Sequence, residues 1–213
     1  MPLSDEKTAL HSYHPIFAAF YDWLAHQGPA RRMADPLRKE TTGQASGLVL
    51  EIGAGSGLNF PFYMPGQVER VEAIEPDSAM LAYARRRQAS APVPITLTQA
   101  SVEALPFSNE LFDSVVATLV FCSVTKPEQG FQEIKRVLKP GGTLLLLEHV
   151  RANARVTARI QDALVPFTTR LFGNCHWNRD TGHLLTEAGF HITHQRRLGE
   201  GVQPMLVVHA TRP

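Results

Sequence analysis

The run Glu51-Ile52-Gly53-Ala54-Gly55-Ser56-Gly57 carries the densest chemical signal in the chain. Its glycines alternate behind an acid that ends the apolar run Leu48-Val49-Leu50. Glycine lets a backbone turn tightly and lets a ligand approach without meeting a Cβ. A helix that follows such a loop presents free N–H groups to that ligand. Alone, the pattern reads equally well as a tight turn. A dinucleotide fingerprint would need glycine where Leu58 stands, so the spacing argues against NAD, as does the lack of a Tyr-x-x-x-Lys pair. Glu75 lies about twenty residues beyond the loop, where a carboxylate can accept both ribose hydroxyls of an adenosine. An isolated acid at a strand end is more simply solvated; loop and acid together favour a nucleoside ligand. Met80, one turn into the next helix, is placed to pack on the adenine, although alone it would read as core.

Four further side chains have chemistry to offer: His149, His176, Cys122 and Cys175. His149 follows a strand at the ligand-binding edge, and His176 sits in a loop able to fold over it, so both are candidate bases. Each also has an ordinary reading as a structural or surface histidine. Cys122 reads as a small packed hydrophobe and Cys175 as a residue that orders its loop. Two cysteines without a C-x-x-C make a disulfide framework or a cysteine-rich zinc site unexpected, so no metal is expected. The same usage suits a reducing cytoplasm.

Short apolar runs alternate with helical segments and must position these groups. Strands are expected over 48–52, 71–75, 95–97, 112–119, 143–148, 190–194 and 205–210. Helices are expected over 77–87, with Asp77 as cap, over 127–138, with Phe131, Ile134 and Val137 on one side, and over 154–171 and 181–188. Lys139-Pro140-Gly141-Gly142 should break the second of these. The alternation implies an α/β fold, a doubly wound, mostly parallel sheet of seven strands covered on both faces. Its last two strands have no helix between them, which implies an antiparallel hairpin at one edge. This domain is expected over 46–213, with 151–178 as a helical insertion on the substrate side.

A helical extension, 1–45, precedes it. A helix over 12–27 carries Phe17, Phe20, Tyr21 and Leu24 and stops at Gly28-Pro29; the basic segment of Arg31, Arg32, Arg38 and Lys39 and a turn-rich 41–47 follow. The basic cluster reads first as a solvated face, with contact to anionic groups as the alternative. The aromatic face, Phe17, Phe20, Tyr21 and Trp23, either covers the sheet or forms a lid with the helix over 154–171 around an apolar acceptor.

The 213 residues are 44% hydrophobic and 19% charged, enough apolar material for one sizeable core. Lys plus Arg number 21 against 20 Asp plus Glu, so no field draws the chain to nucleic acid. The longest apolar run, near Thr143–Leu147, is far too short to cross a bilayer, and the start of the chain lacks the pattern of a signal peptide. A soluble cytoplasmic enzyme is the expectation.

Several segments resemble the class I S-adenosylmethionine-dependent methyltransferases, in particular the type 11 group related to ubiquinone-biosynthesis methyltransferases. They are Val49–Gly57, Ile74-Glu-Pro-Asp77, Val102-Glu-Ala-Leu-Pro-Phe107, Phe112-Asp113 and Arg136-Val-Leu-Lys-Pro-Gly-Gly142. The resemblance implies a Rossmann-like methyltransferase fold and S-adenosylmethionine as cofactor, with S-adenosylhomocysteine as product. It implies that Glu51 lies near the methionine amine and that Gly53, Ala54, Gly55 and Gly57 line the amino-acid moiety, with Asn59 close by. Glu75 would hold the ribose, with Pro76 and Met80 beyond it. Ser101 and Val102 would adjoin the adenine, although many relatives carry Asp where Ser101 stands. Leu119 and Val120 would approach the reactive methyl.

A narrower likeness lies in Asn59-Phe-Pro-Phe-Tyr63, Leu119-Val-Phe-Cys-Ser-Val124, Glu148-His-Val150 and Gly173-Asn-Cys-His-Trp-Asn-Arg-Asp-Thr181. These resemble a group that includes membrane-associated thiol methyltransferases of animals and many small bacterial enzymes. The likeness implies Phe121 and Cys175 on the substrate side, where the lid reading also puts Tyr21, and a small-molecule acceptor, a thiol first. Phe-Gly-Asn-Cys-His departs from the group's usual Gly-Gly-Cys or Asp-Gly-Cys, and its animal members' hydrophobic anchor is missing here. Oxygen, carbon or nitrogen methylation of a quinone, phenol, natural product or lipid head group remains open, as does a cofactor-binding module without catalysis.

Overall fold

The computed structural model describes residues 14–171 and 174–213. Helices α1 (Pro15–Ala25) and α2 (Gly28–Thr42) lead into strand β1 (Gly47–Ile52). Then follow β2 (Val68–Ile74), α3 (Ser78–Gln88), β3 (Ile95–Thr98) and β4 (Phe112–Thr118). After them come α4 (Pro127–Val137), β5 (Leu138–His149), α5 (Arg155–Leu171) and α6 (Thr181–Glu187). Strands β6 (His191–Leu198) and β7 (Met205–Thr211) end the chain.

The strands make one seven-stranded sheet in the order β3-β2-β1-β4-β5-β7-β6. Strands β1 to β5 pair in parallel, and β7 runs antiparallel to both of its neighbours. The expected hairpin is therefore present, with its antiparallel strand one place in from the edge. The chain winds outward from β1 through β2 to β3, then returns to β4 on the other side of β1 and winds the opposite way. At such a reversal a crevice opens beyond the carboxyl ends of the strands, here those of β1 and β4.

Successive side chains of a strand face opposite sides. Leu48, Leu50 and Ile52 join Val115, Leu144 and Leu146 on one face, closed by Phe131, Ile134 and Val137 of α4 and Leu185 of α6. Val49 joins Val71, Ala73, Val116 and Leu145 on the other, together with Phe60 and Tyr63. Glu51 comes two residues after Val49, so it enters the second face among Phe60 and Tyr63. Helix α2 covers this side by packing Leu37 on Leu147 and Val207.

Three differences from the sequence expectation have local causes. Gly28-Pro29 ends α1 but also begins α2, because proline fits the first turn of a helix, where its missing N–H is not needed. Thr41 and Thr42 thus close a helix rather than open a turn. Lys139–Gly142 ends α4 as expected but is already part of β5: Phe112 pairs with Leu138, the register shifts, and Ser114 then pairs with Thr143. Of the first helix, Ser12 and Tyr13 lie outside the described residues, as do Phe172 and Gly173. Among the described residues no helix is long and apolar enough to cross a membrane.

Helix α1 lies along α3 and is tied to it at both ends. At the start, Asp77 caps α3 through the Ala79 and Met80 N–H groups, at 2.7 and 3.2 Å. Its other oxygen accepts the His14 N–H at 3.1 Å. At the far end Arg87 pairs with Asp22 at 2.8 Å and donates to the Ser56 carbonyl of the glycine loop. Arg87→Ala should raise amide exchange in α1 on the order of fivefold, the worth of one partly exposed ion pair, and leave β1 and β4 unchanged. Unaltered exchange in α1 would contradict the tether.

Candidate functional site

The glycine loop leaves β1 and lies against the loop that leaves β4. Gly53 has φ +62°, and a Cβ there would come within 2.7 Å of Val120 Cγ2, so only glycine allows this approach. Gly55, at φ +55°, donates its N–H to Glu75 Oε2 at 2.9 Å. A Cβ on Gly55 would meet nothing closer than a backbone oxygen at 4.0 Å, so the loop's outer side is an open cradle. The turn is closed by Gly57 N–H to the Ala54 carbonyl, and Ala54 N–H bonds the Ile74 carbonyl at the end of β2.

Three buried glutamates surround this cradle. Glu51 accepts from Asn59 Nδ2 at 2.9 Å and from the Tyr63 hydroxyl at 2.8 Å. Asn59 Nδ2 also donates to Thr118 Oγ1 at the end of β4, at 2.9 Å. Glu75 accepts the Gly55 N–H and the Asp77 N–H, the latter at 3.0 Å. Glu148 accepts the N–H groups of Val120, Phe121 and Cys122 at 2.8, 2.8 and 3.3 Å. This clamp holds a backbone in which Leu119 takes φ +59°, a value unusual for a branched side chain. Burial pushes all three carboxyls up to about 7 against the pull of these donors.

The remaining sequence candidates fall into groups. Pro76 is half-buried beside Glu75, and its carbonyl accepts from Gln99 at 2.9 Å. Met80 is buried with Ala18 and Ala79, against Phe17 and Tyr21 of α1. Ser101 donates to Glu103, so its hydroxyl is engaged within its own loop. Val102 is buried in the core that holds Phe131. Phe121 was expected on the substrate side; its ring is instead fully buried and stacked on Phe131 at 3.9 Å. The backbone clamp on Glu148 turns that side chain into the core.

Cys122, His149 and Cys175 present their sulfur and nitrogen atoms within 4.8 Å of one another. His176 is held over them by its N–H bond to the Cys122 carbonyl at 2.7 Å, and its ring faces Asn174. Burial, with help from Arg179, holds His176 below the usual imidazole range. Tyr21 is half-buried, and the charges of Arg38, Cys122, Glu75 and Cys175 all bear on its hydroxyl, which burial pushes up.

Sequence reasoning gave no role to three residues: Glu148, Arg38 and Tyr63, whose hydroxyl donates to Glu51. Glu148 carried a family likeness but no role; its position at the end of an apolar strand, beside a loop, was the available signal. Arg38 was assigned to a solvated basic face. Arg31, Arg32 and Lys39 are exposed, yet Arg38 is only 5% exposed and its Nε has no hydrogen-bond partner. It follows Leu37, which α2 turns onto the sheet, and its charge bears on Glu51.

A carboxyl held protonated in the fold ionises near its ordinary value of 4.5 once unfolded. Unfolding then releases a proton, and stability falls as pH rises from about 4.5 to about 7. Glu51→Gln should flatten this loss by up to about 3 kcal/mol in denaturant titrations at pH 4.5 and 7.5. An unchanged slope would contradict the assignment.

The methyltransferase domain family matches residues 50–146. Over 197 residues, 85% of this chain and 79% of the relative, the sequence is 30% identical to thiol S-methyltransferase TMT1B of Rattus norvegicus. It is 29% identical over 161 residues to phosphatidylethanolamine N-methyltransferase of Cereibacter sphaeroides, covering 73% of this chain and 78% of that one. The solved N-methyltransferase NodS of Bradyrhizobium japonicum, in complex with S-adenosylhomocysteine, superposes with a TM-score of 0.67 at 20% identity over 90% of this chain and 91% of that one. The chain therefore belongs to the S-adenosylmethionine-dependent methyltransferases.

Proposed function

We propose that the chain methylates the sulfur of a small thiol. The observation that carries this reading is the 30% identity with a thiol S-methyltransferase across 85% of the chain. The acceptor chemistry supports it. An oxygen or carbon acceptor needs a strong base, whereas a thiol with a pKa of roughly 8.5 needs little help to ionise. Glu148, which grips the Cys122 N–H, is buried with both oxygens engaged by backbone N–H groups, so it is not placed to take an acceptor's proton.

Bound S-adenosylmethionine supplies a methyl group already activated on a cationic sulfur. In this reading the free lone pairs of Glu75 take the ribose hydroxyls, while Pro76, Met80, Ser101 and Val102 border the adenine. The backbone of Gly53, Ala54, Gly55 and Gly57 follows the methionine chain. Asn59 and Tyr63 orient Glu51 for the ammonium, and Arg38 takes the carboxylate with its unpartnered Nε. Leu119 and Val120 border the methyl. Tyr21, Cys175 and helices α1 and α5 enclose the acceptor, and His149 or His176 receives its proton. A lipid-borne amine is a second reading, favoured by the exposed Ile16, Phe20 and Trp23 of α1.

Calorimetric titration should show binding of S-adenosylmethionine and S-adenosylhomocysteine, weakened roughly 10- to 100-fold by Glu75→Gln through loss of charge-assisted hydrogen bonds. Arg38→Met should weaken both ligands to a similar degree but leave affinity for adenosine unchanged; equal loss for adenosine would contradict the carboxylate role. Methyl transfer to thiophenol or 2-mercaptoethanol, and none to phenol or ethanolamine, is expected. Turnover on ethanolamine alone would overturn the thiol reading in favour of the amine.

A further inference from the structure

We propose that Cys122, His149 and Cys175 form a zinc site whose fourth position takes the acceptor thiol. The residues come from three distant places: the loop after β4, the last residue of β5 and the segment after α5. No local spacing connects them, which is why the absence of a C-x-x-C led to the expectation of no metal. Folding brings their ligand atoms within 4.8 Å of one another. In a tetrahedral zinc site, bonds of about 2.3 Å to sulfur and about 2.0 Å to nitrogen place the ligand atoms roughly 3.5–3.8 Å apart. Small side-chain rotations close the difference.

The backbone that carries these ligands is fixed without using the ligands themselves. Glu148 grips the Cys122 N–H from one side, and His176 N–H bonds the Cys122 carbonyl from the other. The Thr168 hydroxyl donates to the Cys175 carbonyl at 2.9 Å, and Asn174 Nδ2 to the Ser123 carbonyl at 3.0 Å. Arg179 donates to the carbonyls of Phe121 and Val124. Both cysteines are free and buried. His149 Nδ1 is a buried nitrogen without a hydrogen-bond partner, an unsatisfied polar atom beside the two sulfurs. Two thiolates and one imidazole make a zinc-selective donor set that leaves one tetrahedral position open, the pattern of catalytic rather than structural zinc.

The open position lies on the correct side of the fold. Val120, two residues before Cys122, rests on Gly53 of the glycine loop, so one short loop borders both the methyl donor's cradle and the metal. A thiol that coordinates zinc gives up its proton; with His149 held by the metal, His176 is the base that receives it. The metal-held sulfur then uses an electron pair to form the new S–CH3 bond while the sulfonium C–S bond breaks. That bond's electrons stay on the departing S-adenosylhomocysteine, and the neutral thioether leaves the metal. The two cysteine thiolates balance the charge of the dication. The role in turnover rests on the thiol reading above; the metal site itself does not.

The test uses the full chain stripped with a chelator under reducing conditions and reloaded with zinc chloride, or with cobalt(II) as an optical stand-in. One equivalent should bind, and cobalt should give thiolate-to-metal charge-transfer bands. Cys122→Ser, Cys175→Ser and His149→Ala should each weaken zinc binding at least about 100-fold, beyond the loss typical of outer-sphere changes, while calorimetry shows S-adenosylmethionine still binds. Thiophenol should shift the cobalt bands of the wild-type protein, and phenol should not. Failure of the wild-type chain to bind zinc, or a Cys122–Cys175 disulfide in its place, would overturn the site. Bound cobalt whose spectrum ignores thiophenol would overturn the acceptor role. Zinc binding without turnover on any thiol would leave the site standing and remove the thiol reading, so the two failures are separable.

Discussion

A carboxylate taken out of water must find donors or remain protonated. This chain buries three glutamates at one edge of its sheet, on β1, just past β2 and on β5, with Asp77 buried beside the second. Each meets the constraint by gathering a neighbouring loop. Glu51 draws in Asn59 and Tyr63 from the segment after the glycine loop. Glu75 takes the N–H of Gly55 from the loop itself and that of Asp77 at the start of α3. Glu148 collects consecutive N–H groups from the loop after β4. The loops that border the crevice therefore have few degrees of freedom left before any ligand arrives, which is the preorganisation that methyl transfer asks of a protein.

Around this floor the N-terminal helices supply the remaining side. Helix α1 is fastened along α3 by Asp77 and Arg87, and Arg87 reaches on to the glycine loop through Ser56. Tyr21 thereby comes under the influence of both Glu75 and the cysteine pair. Helix α2 brings the buried Arg38 to the side of Glu51. A buried carboxylate and a buried guanidinium close together complement a zwitterion, the charge pattern of an amino-acid end.

The strands and the glycine loop were legible in the sequence because local patterns define them: short apolar runs, alternating glycines and Asp77 as a cap. The limits of that reading are equally specific. Gly28-Pro29 reads as a stop and as a start, and only packing on α3 and β5 decides that two helices meet there. Arg38 stands among exposed basic residues, and its burial follows from how α2 is turned by Leu37. Phe121 shares a motif with site residues but is rotated into the core by the grip of Glu148 on its N–H. The Cys122, His149 and Cys175 cluster joins three crossovers, and no spacing rule anticipates a contact made by β4, β5 and the segment after α5.

The account turns on where the nucleoside sits and which way its sulfur faces. A crystal structure of the chain with S-adenosylhomocysteine decides both. The ribose hydroxyls should lie on Glu75, the amino-acid end between Glu51 and Arg38, and the thioether sulfur should face the Leu119–Cys122 loop with His149 and Cys175 behind it. A nucleoside bound away from Glu75, or a sulfur turned away from that loop, would contradict the account.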